Sequence, residues 1–218
     1  MDLLAIETSS SVCGIALFQE DELIDIQEAV LNREHAEKLP LFYEKLITIN
    51  DVHLSSLDGI AVSIGPGSFT GLRIGLSYAK GLAYSVGIPL VPVPTLEANV
   101  KGVNQEEGKF RSILYSHKDI VYYQDFLISD GYPLMSGLPR STGWKEALVT
   151  MPKDVVACCY SCEHLLKDTQ FEKIIVRVIP SAQYVGEIAI KDFERLKQSK
   201  FHQIEPNYVT SFRTSMVS

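Results

Sequence analysis

The sequence predicts an α/β protein divided into two lobes. Three observations carry that prediction. Strand-like apolar runs alternate with helix-period segments through about the first hundred residues. A strand without polar alternation, "DGIAVSIG", leads through a glycine turn into a long, charge-poor helix. A polar stretch from Lys101 to Lys109, "KGVNQEEGK", then separates this half from a second set of strands and helices.

"LLAIET" and "VCGIALF" read as two strands joined by the serine-rich turn at Ser9 to Ser11. "ELIDIQEAV" alternates and reads as a third, half-exposed strand. Asn32 is placed to cap a helix running through Tyr43 to about Ile49. Pro40 is expected to kink that helix or divide its first turn from the rest. "DGIAVSIG", the glycine-rich helix and the strand "IPLVPV" complete the first lobe, residues 1–103. The second lobe takes residues 104–218. There "FRSILYSHKDIVYYQDFLI" reads as two strands and "DGYPLMSGLPRSTG" as loop. "GWKEALV" is a short helix, "DVVACCY" and "EKIIVRVI" are strands, and "SCEHLLKD" between them is helix-like. "SAQYVGEIAIKDFERLK" is a helix capped by Ser181, with apolar positions at Val185, Ile188, Ala189 and Phe193. The closing "HQIEPNYVTSFRTSMVS" is irregular.

The 218 residues are 46% hydrophobic and 22% charged, enough for one large domain or two small ones. No apolar run approaches the roughly 18 residues of a membrane span. Asp2 stands where a secretory signal carries a base, so a cytoplasmic protein is expected. Net charge is −7 and no basic block is present. A protein that grips nucleic acid alone carries a basic stripe, so any RNA contact is expected to be shared with a partner. The four cysteines are Cys13, Cys158, Cys159 and Cys162, too few and too clustered for a disulfide scaffold. The CxxC of Cys159 and Cys162 lies where a strand meets a helix. It suits a redox pair, half a zinc site, or small apolar residues buried at a strand end. No second CxxC or HxxxH completes a zinc set.

Gly65, Gly67 and Gly71 form GxGxxxG. The third glycine is one place late for a dinucleotide fingerprint, and no Lys-Ser/Thr follows for a P-loop. Strand, glycine turn and helix N-terminus still aim backbone N–H groups at one space, where an anion could sit. Alternatively, Gly65-Pro66-Gly67 is a tight turn and Ser68 or Thr70 caps the helix.

Along that helix Leu72, Leu76, Ala79, Ala83 and Val86 form the stripe expected to face a sheet. Arg73 and Lys80 share one flank with Phe69 and Tyr84. The far side carries Ile74, Ser77, Tyr78, Gly81 and Ser85, with no charge. A helix that is apolar or small all round is buried all round, so another part of the chain or a second chain is expected over it. Gly67, Gly71, Gly75, Ala79 and Ala83 recur every fourth place, a ridge that admits another backbone closely. On the earlier helix Leu39, Phe42, Tyr43, Leu46 and Ile49 share a face with His35, opposite Glu37, Glu44 and Lys45. His35 is either a ligand or base, or a packed, hydrogen-bonded residue.

The runs "LLAIETSSSVCGIALF", "REHAEKL", "SIGPGSFTGLRIGLSYAKGLA" and "IPLVPVPTLEA" resemble the TsaB (YeaZ) family. This glycoprotease-like family supplies a subunit for making threonylcarbamoyladenosine in tRNA. The resemblance covers about the first hundred residues and is weak beyond them. It implies the actin, Hsp70 and sugar-kinase fold, with two ribonuclease-H-like lobes on five-stranded mixed sheets. It implies a TsaD-like catalytic subunit and a TsaE-like ATPase as partners, tRNA bound only within the complex, and a homodimer in isolation. The contact would use the helices after the third and fourth strands, through His35, Leu39, Tyr43, Leu46, Ile74, Ser77, Tyr78, Gly81 and Ser85.

The same resemblance speaks to catalysis. Thr95 and Asn99 stand where TsaD carries a metal-binding HxxxH, and neither is a good transition-metal ligand. Glu7, with Thr8 and Ser9, stands where kinase relatives hold a metal-orienting aspartate. Tyr115 replaces the family's usual aspartate, and the hairpin from Tyr115 to Asp119 lacks an Asp-Gly phosphate loop. Phosphoryl transfer needs charge stabilisation from both sides of a cleft. The expectation is a non-catalytic scaffold with no catalytic or metal residue, in which Gly65, Pro66, Gly67, Ser68, Phe69, Thr70 and Gly71 are a vestigial phosphate loop. No cofactor is expected beyond weak nucleotide binding at a subunit boundary. Two rivals are an ATP-dependent phosphotransferase or hydrolase of the same fold, using Glu7, Thr8 and the glycine loop, and a peptidase. Against the peptidase, the chain has neither HExxH nor a Ser or Cys elbow.

Overall fold

Short turns force consecutive strands to pair with one another. β1 (Leu3–Glu7), β2 (Val12–Gln19) and β3 (Glu22–Val30) form an antiparallel meander in the computed structural model, which describes residues 1–166 and 175–209. Helix α1 (His35–Asn50) then carries the chain across to β4 (Gly59–Ser63), which lies parallel to β1. Helix α2 (Phe69–Val86) leads to β5 (Leu90–Val93), parallel to β4. The sheet order is β3-β2-β1-β4-β5. Every residue of β1 and β4 is buried, which explains their lack of polar alternation. β3 is an edge strand of alternating exposure, as its sequence predicts.

The second sheet repeats this plan. β6 (Gly108–His117), β7 (Ile120–Ser129) and β8 (Tyr132–Gly143) form a meander, and β9 (Val156–Tyr160) and β10 (Ile175–Arg177) add in parallel. Its order, β8-β7-β6-β9-β10, matches the first sheet strand for strand. The molecule is thus the expected two-lobed α/β protein, with a five-stranded mixed sheet in each lobe.

The remaining helices are α3 (Thr95–Lys101), α4 (Trp144–Val149), α5 (Glu163–Leu166), α6 (Ala182–Lys191) and α7 (Phe193–Leu196). Two of them are exchanged between lobes. α3 follows the last strand of the first sheet but packs Leu96 and Val100 with Phe110 and Phe126 of the second. α6 follows the last strand of the second sheet but packs Val185, Ile188 and Ala189 with Leu3, Ala5 and Phe18 of the first. Gly186 permits this contact, since a Cβ there would lie 2.0 Å from the Phe18 ring. Glu28 of β3 ties the start of α6, accepting from Ser181 Oγ (3.0 Å) and the Ala182 N–H (3.3 Å).

Several expectations are corrected. "DGYPLMSGLPRSTG" is mostly strand β8. It pairs only with β7, and an edge strand tolerates Pro133, Gly137 and Pro139 because its outer side needs no ladder bonds. Asn32 does not cap α1. The helix starts after Glu34, behind Arg33 at φ 64, without a side-chain cap. Pro40 lies inside an unbroken α1, where the carbonyl it deprives of a bond belongs to exposed Ala36. The expected helix from Ser181 breaks at Asp192 into α6 and α7, while Ser181 caps α6 by accepting from the Gln183 N–H. Ile49, expected to share a face of α1 with Leu39 and Leu46, is 63% exposed while those two are buried. The helix-like Lys167 and Asp168, the start of the "EKIIVRVI" strand and the tail from Thr210 lie outside the described residues.

Candidate functional site

The glycine loop is built against its own chain. A Cβ on Gly71 would sit 2.0 Å from the Thr8 carbonyl oxygen, and one on Gly75 would sit 2.1 Å from Thr8 Oγ1. Gly67 has the same relation to the Ser9 carbonyl at 2.4 Å. The ridge of small residues therefore does admit another backbone, and it is the β1–β2 loop. The Ser68 N–H donates to the Ser9 carbonyl (2.6 Å), and Ser68 Oγ caps α2 by accepting from the Gly71 N–H (3.2 Å). Thr95 Oγ1 accepts from the Gly65 N–H (3.0 Å), and the Asn207 N–H donates to the Ile64 carbonyl (2.7 Å). The glycine spacing is explained by this close packing, with no anion required.

Glu7 and Thr8 lie beneath this contact, fully buried. Glu7 Oε1 accepts from the Ser9 N–H and from Ser9 Oγ, both at 2.5 Å, while Thr8 Oγ1 has no partner among the described residues. Burial pushes the Glu7 carboxyl up to about 7, against the pull of its serine donors. The native state thus holds a proton that the unfolded chain releases near 4.5. Its contribution to stability is full below that value and is lost as pH rises through about 7. Glu97 in α3, nearly as buried, is also pushed up to about 7, mainly by burial. The urea midpoint is expected to fall across this window, and Glu7→Gln to flatten the fall. An equally steep fall in the variant would show that Glu7 is ionised in the native state.

Between the lobes lies a cleft of about 1040 Å³. Ser9 to Ser11, Arg33 and the start of α2 form one wall; Tyr115, His117 and Tyr160 belong to the other. Among the described residues its lining includes Arg33, His35 and His117 but no carboxylate. Ser11 Oγ and Tyr160 Oη meet across it at 2.8 Å. Tyr115 packs edge-on against His164, ring centres 4.6 Å apart. Thr95 is buried in its bond to Gly65, and Asn99 is buried in α3.

The outer face of α1 and α2 is a second candidate surface. The predicted inner stripe of α2 holds, with Leu72, Leu76, Ala79 and Ala83 buried and Val86 half-buried. Ser77, Gly81 and Ser85 are exposed, Ile74 and Tyr78 half-buried, and Tyr84 is 79% exposed. A Cβ on Gly81 would meet nothing within 4 Å, so no described residue of the second lobe roofs this position. Tyr43 of α1 packs edge-on against Tyr78, centres 6.0 Å apart. Three residues expected on the partner face point inward instead. Leu39 and Leu46 belong to the chain's own core, and His35 is buried with Nε2 donating to the Val12 carbonyl (3.2 Å).

The role of α2's two cations was missed in the sequence. The segment Lys200–Tyr208 runs along their flank. Lys80 Nζ donates to the Ile204 carbonyl (2.6 Å), and Arg73 Nε to Tyr208 Oη (3.0 Å). The Arg73 guanidinium also lies 3.6 Å over the Phe69 ring, which packs on Tyr208. The signal available was the pairing of the only charges on α2 with an aromatic on one flank.

Comparison with known proteins joins these features. A family model for TsaD, tRNA N6-adenosine threonylcarbamoyltransferase, matches residues 27–123. The TsaB proteins of tRNA threonylcarbamoyladenosine biosynthesis are similar over about half of the chain. The chain is 32% identical to that of Escherichia coli over 111 residues, 51% of this chain and 48% of that protein. It is 35% identical to that of Bacillus subtilis over 122 residues, 56% and 53% of the two chains. The chain is similar to the TsaB (YeaZ) family over about half of its length. The chain spans about half the length of the curated TsaB relatives it matches. The TsaB-type fold extends further: the structure of YeaZ from Pseudomonas aeruginosa superposes with a TM-score of 0.83 at 24% identity, covering 95% of this chain and 99% of that one. Among the described residues no helix is long and apolar enough to cross a membrane.

Proposed function

We propose that the chain is a non-catalytic subunit of the machinery that makes threonylcarbamoyladenosine in tRNA, docking on a TsaD-like catalytic subunit through the outer face of α1 and α2. The observation that carries this reading is the uncharged face Ser77-Gly81-Ser85 beside Tyr78 and Tyr84, left open by the other described residues. Two helices burying about 1,600 Å² would make a standard specific interface. The same face would pair two copies when TsaD is absent. A TsaE-like ATPase joins the assembly, and tRNA is held by the complex, because this acidic chain has no basic stripe of its own. The assembly works in the cytoplasm.

The absence of catalysis rests on the site's chemistry. The glycine loop is packed against Thr8 and Ser9, Glu7 is sealed off, and the positions matching TsaD's metal ligands are Thr95 and Asn99. The deciding experiment is Gly81→Arg. The new Cβ meets empty space and arginine is a better helix former than glycine, so the unfolding midpoint is expected to hold or rise slightly while binding to TsaD falls about a hundredfold or more, the cost of an unpaired charge in an interface. Co-elution at wild-type strength would place the interface elsewhere. The cleft volume favours one rival, an ATP-dependent phosphotransferase. Calorimetry with Mg-ATP on the isolated chain separates the two, since micromolar binding with turnover would favour that rival.

A further inference from the structure

Cys159 is the next-to-last residue of β9 and Cys162 directly precedes α5, with Tyr160 and Ser161 between them. Ser161 takes φ 61, which folds the chain back sharply. The turn returns the chain so that both thiols enter one core cluster, where Cys162 Sγ donates to the Tyr160 carbonyl (3.4 Å). Both sulfurs sit in the same core cluster as Trp144, Cys162 fully enclosed and Cys159 6% exposed. Tyr160 and Ser161, the residues between them, line the interlobe cleft. Of the four cysteines, Cys159 is the least enclosed. Cys158 faces the opposite side of the sheet, and Cys13 lies fully buried in the first lobe.

We propose that Cys159 and Cys162 are a modification site, a dithiol that hydrogen peroxide converts to a disulfide, with Cys159 attacking and Cys162 resolving. Cys159 as thiolate attacks one peroxide oxygen, giving a sulfenic acid and hydroxide, which takes up a proton to become water. Cys162 Sγ then attacks the Cys159 sulfur, its proton leaving with the sulfenic oxygen as a second water. Two thiols are oxidised by two electrons and one peroxide is reduced to two waters. The assignment of roles follows the surroundings. The Cys162 S–H, and secondarily Arg177, draw the Cys159 thiol below its ordinary value, against burial and Glu163. Cys162 is pushed up by donating to Cys159 and by burial. Burial pushes Cys13 and Cys158 up to about 12, leaving them inert.

The test treats the full chain with peroxide, then denatures it in an alkylating reagent and maps the cysteines by mass spectrometry. Cys159 and Cys162 are expected to lose alkylation together, about tenfold or more faster than Cys13 and Cys158, and dithiothreitol to restore both. Cys162→Ser should leave Cys159 carrying added oxygen in place of a disulfide, and Cys159→Ser should protect Cys162. Circular dichroism checks that both variants fold. Three results would overturn the proposal: oxidation of Cys159 no faster than of Cys13, a Cys158 disulfide instead, or undiminished oxidation of Cys162 in Cys159→Ser.

Discussion

Gly71→Ala is expected to lower stability by about 1–3 kcal/mol, although alanine is the better helix former by about 1 kcal/mol. The new methyl would lie 2.0 Å from the Thr8 carbonyl oxygen. That oxygen cannot retreat cheaply, because Ser68 holds the adjoining Ser9 carbonyl at 2.6 Å and Ser9 is bonded to buried Glu7. Gly81→Ala is the control on the same helix. It meets nothing within 4 Å and is expected to raise stability by about 0.5–1 kcal/mol, the ordinary gain for glycine to alanine in a helix. Urea unfolding of the two variants gives opposite shifts if α2 is pressed on the β1–β2 loop. Shifts of the same sign would mean that helix propensity alone decides both.

Arg111→Met carries the largest expected loss in the second lobe, about 3–5 kcal/mol. Arg111 is 3% exposed in the middle of β6. Its guanidinium forms a forked pair with Asp125, at 2.6 and 2.7 Å. The same group donates to the Ala147 carbonyl and to Thr150 Oγ1, so it ties α4 to the sheet, and it lies 4.4 Å over the Tyr123 ring. Methionine fills the volume but leaves the Asp125 charge and the α4 carbonyl without their donor. Adding Asp125→Leu to Arg111→Met should recover most of the loss, because the unpaired charge goes with it. Denaturant titration of the two variants checks both statements; a single variant within about 1 kcal/mol of wild type would show the pair to be dispensable.

The sequence was most legible where structure is local. β1 to β5 and both crossover helices are set by periodicity and turns within a few residues of each other, and they appear as expected. The outer face of α2 was legible too, because Ser77, Gly81 and Ser85 fall on one side of a regular helix. β8 was hidden by Pro133, Gly137 and Pro139, residues that forbid a central strand but not an edge. α3 was overlooked because its short run abuts the polar stretch that marks the lobe boundary. On α1 the apolar face was read correctly as a stripe, but Leu39 and Leu46 were assigned to a partner when the chain's own sheet takes them. The glycine ridge announced a close backbone without naming it, since Thr8 and Ser9 lie far away in the chain. The partners of Lys80 and Arg73 are separated from them by 124 and 135 positions, beyond the reach of any local pattern.

The exchange of α3 and α6 sets the order in which the molecule can be finished. The strands of the first sheet leave the ribosome early, yet one face of that sheet waits for Val185, Ile188 and Ala189. Until Lys191 has been synthesised, Leu3, Ala5 and Phe18 stay uncovered, an apolar surface of the sort chaperones bind. The first sheet therefore cannot mature ahead of the C-terminal lobe.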